Sequence, residues 1–164
     1  MRCTKCENKK KLEPRIQNLK YDVSGLDNVM IHGVKVYYCK NCGERYIQYG
    51  NLDEIDAAIV EALLKKEQPL IGKEIRFLRT WKGYSGQRFA SLLNSSPEHL
   101  YRIEANEKPV NDKFDRLVRL AIMSLSVDRN YEEVHEMLEG KKNLVKYDRI
   151  ELKPKGGHYS VQYA

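Results

Sequence analysis

Residues 37–44 read YYCKNCGE, and residues 1–6 read MRCTKC. These two stretches hold all the cysteines of the chain, in two Cys-x-x-Cys pairs: Cys3, Cys6, Cys39 and Cys42. Two residues between the thiols allow each pair to grip one metal ion, and two pairs complete a closed tetrahedral shell of thiolates. The spacing therefore predicts one structural Zn²⁺ per chain, with these four cysteines as its ligands.

The composition is that of a soluble globular protein. The 164 residues suit one ordinary domain or two small ones, and the 41% hydrophobic and 32% charged residues exclude a disordered chain. No apolar run approaches the ~20 residues that span a bilayer, and the first residues lack the apolar stretch of a signal peptide. We therefore expect a cytoplasmic protein with no membrane partner. The net charge of +6 does not by itself establish a nucleic-acid partner.

Other uses of paired cysteines fit this sequence less well. A thioredoxin-like redox site needs a Cys-x-x-Cys that begins a helix after a strand, and no strand precedes Cys3. Structural disulfides conflict with a reducing cytosol. An iron–sulfur cluster is chemically possible, although two symmetric pairs with no fifth cysteine favour zinc. Catalytic zinc is disfavoured because four thiolates leave no open position for water.

The pattern of elements predicts an α+β fold with four segments in chain order. They are a zinc-binding β domain at 1–50, a connecting helix and linker at 51–69, an all-α helix-turn-helix domain at 70–139, and a basic tail at 140–164. The tail is expected to form a β-hairpin, because residues 150–153 and 159–163 alternate apolar and polar side chains around the turn sequence PKGG.

Three further elements follow from periodicity. Short strands are predicted around Arg15–Val23 and Val29–Tyr38, where β-branched and aromatic residues lie between turn signals. A helix is predicted from Leu52 to Lys66, with acidic residues early and lysines late, which is the charge order that complements a helix dipole. In the segment 70–139, helical signals follow one another from Ile71 to about Glu139.

The helix-turn-helix prediction depends on several residues being in register. Ser85 can cap a helix over Gly86–Leu93, and Asn94 suits a left-handed turn. Ser96 can cap the next helix, with Pro97 at its first position. The small and core-facing residues expected between the helices are Phe89, Ala90, Leu93, Leu100 and Ile103. The alternative is an αα-hairpin in an unrelated bundle.

This segment resembles the Cro/repressor-type helix-turn-helix family. The resembling residues are those of EIRFLR at 74–79, GYS at 83–85, FA at 89–90, YRIE at 101–104, and Pro109. The resemblance implies a structural ion pair between Arg79 and Glu104. It also implies that the start of the third helix enters the major groove of DNA, with four candidate readers: Glu98, His99, Tyr101 and Arg102. Arg102 is the best of these, because its forked guanidinium matches the edge of guanine.

One departure from that family affects the phosphate contacts. Gly86 stands where a phosphate-binding glutamine is usual. The candidates to replace that contact are Gln87, Arg88, Lys108 and Lys113.

Over roughly residues 1–122 the chain also resembles the MqsA (YgiT-type zinc finger) antitoxin family. The resemblance is carried by MRCTKC at 1–6, by YYCKNCGE at 37–44 and by the downstream helix-turn-helix. It implies that the zinc domain binds and neutralises a ribonuclease toxin, through a surface near Lys20–Val23 and Val34–Tyr38. It further implies a homodimer that represses its operon by binding a palindromic operator.

The leading hypothesis is therefore a DNA-binding repressor of the antitoxin type. The alternative is a stand-alone zinc-containing transcription regulator with no toxin partner. An enzyme is not expected, because we find no convergent set of acids, bases or open metal positions. Acidic pairs such as Asp53-Glu54 and Glu132-Glu133 are expected to be exposed helix faces.

Overall fold

The computed structural model describes residues 1–6, 11–124, 132, 135 and 144–164. Over these residues the protein has five α-helices and a mixed sheet of five strands, which confirms the α+β class. The strands are β1 (Pro14–Lys20), β2 (Val29–Tyr38), β3 (Arg45–Gln48), β4 (Ile150–Lys155) and β5 (His158–Tyr163). The helices are α1 (Leu52–Lys65), α2 (Gly72–Trp81), α3 (Gly86–Leu92), α4 (Pro97–Glu104) and α5 (Asp112–Ser124). The predicted helical signals between Ser124 and Glu139 fall almost wholly outside the described residues.

The long strand β2 is the centre of the sheet. It pairs with β1 along one edge, in antiparallel register. Along its other edge it pairs with β3 over residues 35–38 and with β4 over residues 29–31, the latter in parallel. β5 then pairs with β4 in antiparallel register. The C-terminal strands thus belong to the same sheet as the strands that surround the cysteines.

A bulge in the β1–β2 ladder lies at Gly33. The register changes between Gln17 and Leu19, and Gly33 has a φ of 72°, which few residues other than glycine adopt without strain. The Gly33 amide donates to Oδ1 of Asn18 at 3.3 Å, so the extra residue is not left without a partner. The bulge allows apolar residues on both sides of it, Ile31 and Val34, to be buried.

The main hydrophobic core joins the sheet to all five helices. Alternate residues of β2 and β4 are buried in it, as the period of a strand with one covered face requires. Its fully buried members include Val29, Ile31, Val36, Ile55, Ile59, Leu63, Ile75, Leu78, Phe89, Val118, Ile122, Ile150 and Leu152. The predicted segments therefore share one apolar core.

Arg119 of α5 closes the C-terminal end of α1. Its guanidinium donates to four backbone carbonyls at 2.9–3.1 Å, those of Leu63, Leu64, Lys66 and Gln68. The last carbonyls of a helix have no partner within the helix, so a cation is well placed there. Asp115 balances the charge, since its carboxylate lies 2.8 Å from Nε of Arg119 and also accepts from the amide of Leu70 at 2.7 Å.

A second buried ion pair fixes the link between α1 and α2. Nζ of Lys66 donates to both carboxylate oxygens of Glu74, at 2.8 and 2.9 Å, and the Glu74 side chain is only 2% exposed. Glu74 also accepts from the amide of Ile71 at 2.9 Å. The segment that the sequence marks as a linker is thus held by side chains from both neighbouring helices.

We expect Arg119→Met to lower the free energy of unfolding by ~3–5 kcal/mol, because the Asp115 carboxylate loses the cation that balances its charge and several buried carbonyls lose their donor. The measurement is urea denaturation of the full chain. Arg116→Met is the matched control on the same helix. Arg116 is exposed, so its replacement should change stability by no more than ~0.5 kcal/mol. Equal effects of the two substitutions would contradict the role of Arg119.

Candidate metal centre and nucleic-acid interface

The second cysteine pair lies in a tight turn at the end of β2. The amide of Cys39 donates to the carbonyl of Glu44 at 2.9 Å, and the amide of Gly43 donates to the carbonyl of Cys39 at 2.8 Å. Gly43 has a φ of 73°, and a Cβ there would meet nothing within 4 Å. Backbone conformation rather than space is therefore the reason for glycine next to Cys42.

The structure brings the four predicted ligands together. The Sγ atom of Cys3 lies 3.6 Å from those of Cys6 and Cys42, and the Sγ atoms of Cys6 and Cys39 are also 3.6 Å apart. All four sulfur atoms lie within 4.8 Å of one another. A disulfide needs about 2.05 Å between sulfurs. A tetrahedral ion with ligand bonds of about 2.3 Å places them about 3.8 Å apart. The spacing fits a shared metal ion, and these cysteines can hold one.

Tyr46 of β3 supports the centre. Its hydroxyl lies 3.3 Å from Sγ of Cys3 and accepts from the amide of Thr4 at 2.9 Å. The hydrogen bond from Tyr46 holds the pKa of the Cys3 thiol below its usual value, which favours the thiolate that binds metals. Sequence reasoning missed this residue, because β3 has only four residues and a short alternation is a weak strand signal.

The cysteines belong to a small apolar cluster separate from the main core. Its buried members are Cys3, Leu12, Tyr37 and Cys39, with Cys6 and Tyr46 packed against them. Tyr37 and Val36 are neighbours in β2 and face opposite sides of the sheet, so Val36 joins the main core while Tyr37 joins the cysteines. A metal ion held by these cysteines would therefore stabilise one end of the sheet.

The α3–α4 segment has a cap at each helix start and a left-handed residue between the helices. Oγ of Ser85 accepts from the amide of Arg88 at 3.2 Å, and Oγ of Ser96 accepts from the amide of His99 at 3.1 Å. Asn94 has a φ of 48°. Between α2 and α4, Gly72 is required for close approach, because a Cβ there would lie 2.1 Å from the carbonyl oxygen of Ile103. No sequence signal identified Gly72 as such a contact.

Arg79 and Glu104 meet as a forked ion pair. Nε and Nη2 of Arg79 lie 2.6 and 2.9 Å from the two carboxylate oxygens of Glu104, and Nη1 donates to the carbonyl of Tyr84 at 2.7 Å. Both side chains are nearly buried, and the carboxylate raises the pKa of Arg79. The pair joins α2 to α4.

The predicted DNA-contacting residues lie mostly on the surface. Seven of the eight are exposed: Gln87, Arg88, Glu98, Tyr101, Arg102, Lys108 and Lys113. His99 is half-buried, because its ring packs edge-on against Phe114 with 5.6 Å between the centroids. Nε of Arg102 lies 3.8 Å from a carboxylate oxygen of Glu107, and the Arg88 guanidinium lies over the ring of Tyr84. Tyr101 and Arg102 are thus both accessible on α4.

Comparison with known proteins gives no match: no family model, no curated protein and no solved structure is significantly similar to this chain. Within the described residues, no helix is long and apolar enough to cross a membrane.

We expect the purified protein to contain one metal ion per chain, and we expect Cys39→Ser to lose it, because three thiolates bind more weakly than a closed set of four. Elemental analysis of protein purified without added metal measures the content. His32→Ala is the control and should keep the metal, since His32 forms no part of the cysteine group. Full metal content in Cys39→Ser would contradict a four-cysteine centre.

Proposed function

We propose that this protein is a sequence-specific DNA-binding transcriptional repressor of the antitoxin type. In this proposal α3 and α4 are a helix-turn-helix that binds a palindromic operator as a homodimer. The four cysteines hold one structural Zn²⁺, and the sheet around them binds a toxin protein. The observation that carries the DNA-binding proposal is the exposed outer face of α4. The inner face of the same helix is buried in the main core.

The two faces of α4 differ sharply. Leu100 and Ile103 are 1% exposed and pack in the main core, whereas Tyr101 is 67% exposed. A large aromatic side chain with an adjacent arginine, held on a helix that cannot rotate, suits reading of base edges. The ion pair of Arg79 with Glu104 supports this proposal, because it fixes the orientation of α4 relative to α2.

The charge around α4 suits a polyanion. Arg88, Arg102, Lys108 and Lys113 are exposed cations on or near the two helices. Arg102 shares an ion pair with Glu107 at 3.8 Å, but both side chains are more than half exposed, so exchanging that partner for DNA costs little. Each cation that replaces a counterion at a phosphate adds about 0.9 to the slope of log affinity against log salt.

Zinc is the metal that the donor set favours. Four thiolates in a closed tetrahedral arrangement are typical of structural zinc and leave no position for a substrate or water. The toxin-binding part of the proposal has different support, namely the resemblance of the cysteine motifs and of their order before the helices. The second candidate is a stand-alone regulator, in which the same sheet senses a metal, redox state or protein.

We expect selection from a random library of DNA duplexes by the full chain to enrich an inverted repeat, with half-sites about one helical turn or a multiple of it apart. Arg102→Ala should weaken binding to that repeat by ~1–3 kcal/mol and relax the preference at one base pair, because a bidentate contact is lost. Fluorescence anisotropy over a range of salt concentrations measures both.

Arg45→Ala is the matched control for this experiment. Arg45 is an exposed arginine on β3, so its loss removes the same charge from the other part of the molecule and should leave the affinity nearly unchanged. Failure to enrich any repeat, or an unchanged affinity of Arg102→Ala, would overturn the assignment of α4 as the reading helix.

The toxin partner is tested by co-expression with the open reading frame next to this gene. We expect the two products to copurify, and the neighbour alone to inhibit growth. Failure to recover a complex, with DNA binding intact, would leave the stand-alone regulator as the function.

A further inference from the structure

A hollow of about 610 Å³ lies beside the metal centre. It is bounded by the chain that leads into β1, by the start of β1, and by the turn between Cys39 and Cys42. The residues that matter for its chemistry are Lys11, Leu12, Arg15, Tyr38, Lys40 and Asn41. The hollow thus lies between two different parts of the chain, the start of β1 and the turn that carries the second cysteine pair.

The lining of the hollow is positively charged and includes the apolar groups of Leu12 and Tyr38. Lys11, Arg15 and Lys40 contribute three cations, and Glu13 contributes one acid. The Arg15 guanidinium lies 5.8 Å from the centroid of the Tyr38 ring. Such a surface attracts acidic groups and gives apolar side chains a place to pack.

The edge of the sheet next to this hollow is open. β1 is the terminal strand, and among the described residues no strand pairs with its outer edge. Its side chain Ile16 is 63% exposed, although isoleucine is usually buried. An exposed strand edge with unpaired amides and carbonyls is a template for another strand.

We propose that β1 and the adjoining hollow form a docking surface for an extended, acidic segment of a partner protein, which adds to the sheet as a strand. We further propose that the surface forms only while the cysteines hold their metal. This inference rests on the metal of the proposed function and names the chemistry of its protein partner. A second copy of this chain is a poor occupant, because β1 with its flanking lysines would meet its own positive charge.

We expect the docking surface to depend on the metal because part of its lining lies between two of the cysteine ligands. Lys40 and Asn41 are the two residues between Cys39 and Cys42, and Leu12 packs in the same small cluster as Cys3 and Cys39. That cluster has four buried residues, two of them metal ligands, so without the metal little apolar burial remains to order it. Loss of the metal removes one wall of the hollow and leaves the main core, with α4, in place.

The first experiment uses displayed random peptides selected against the metal-loaded full chain, followed by synthesis of the enriched peptides. We expect sequences that alternate apolar and acidic residues. Arg15→Glu combined with Lys40→Glu should weaken their binding at least about tenfold, because the attraction becomes repulsion. The control pair Lys146→Glu and Lys155→Glu makes the same charge change at exposed positions elsewhere and should bind normally. Metal content checks that each variant is folded.

A second experiment tests whether the peptide binds as an added strand. Methylation of alternate backbone amides on one edge of the enriched peptide should abolish binding, whereas methylation on the other edge should not, because an added strand bonds through one edge only. Equal tolerance of both would overturn this mode of binding. Enrichment of neutral or basic peptides, no enrichment, or displacement of the peptide by non-specific duplex DNA would overturn the acidic-segment proposal.

Chelation of the metal separates this inference from the DNA-binding proposal. After chelation we expect peptide binding to be lost while the same sample still binds its selected DNA repeat and keeps its helical circular dichroism. Peptide binding that survives chelation would overturn the metal dependence. Peptide binding that behaves as expected in a protein with no DNA specificity would leave the docking surface standing and remove the repressor function.

Discussion

The guanidinium of Arg119 is the contact on which the position of α5 against the end of α1 and the α1–α2 link depends. This cation from α5 lies at the C-terminal end of α1, where four backbone carbonyls and the Asp115 carboxylate surround it. A buried cation is costly unless its donors are all used, and this one meets acceptors on every side. Lys66 and Glu74 form a second buried ion pair, which joins the end of α1 to the start of α2. Together they give the α1–α2 link a defined direction that apolar packing alone does not specify.

The two ends of the sheet are stabilised by different physical means. Around α1, stability comes from apolar burial that is continuous from the sheet through α5. Around the cysteines the buried cluster is small, and a metal ion held by the four thiols, with Tyr46 beside Cys3, would supply order that apolar burial there does not. The strand β2 runs through both regions, since Val36 faces one and Tyr37 the other. One strand therefore joins the cysteine cluster to the main core.

The sequence predicted the features that depend on residues close together in the chain. The cysteine spacing, the caps at Ser85 and Ser96 and the turn at Asn94 all act within a few residues, and the structure has each of these features. The parallel pairing of β2 with β4 joins residues more than a hundred positions apart, and no local pattern encodes it. Arg119 looks in sequence like any arginine on a helix, and only its surroundings show that it is buried. Whether an exposed side chain contacts DNA depends on a partner, and neither a local pattern nor the fold encodes it.

The C-terminal strands change how the parts of this chain act on each other. β4 lies between β2 and β5, and the hydroxyl of Tyr147 donates to the carbonyl of Ala62 at 3.0 Å, so the end of the chain completes the core above α1. The strand β1 and the helix α4 then both pack against one apolar core. If both proposed surfaces are used, the distance between them is set by the fold. In that case a partner on β1 can influence DNA binding through its bulk, its charge or the geometry of a dimer, because the described parts of the sheet and of α4 pack on the same core.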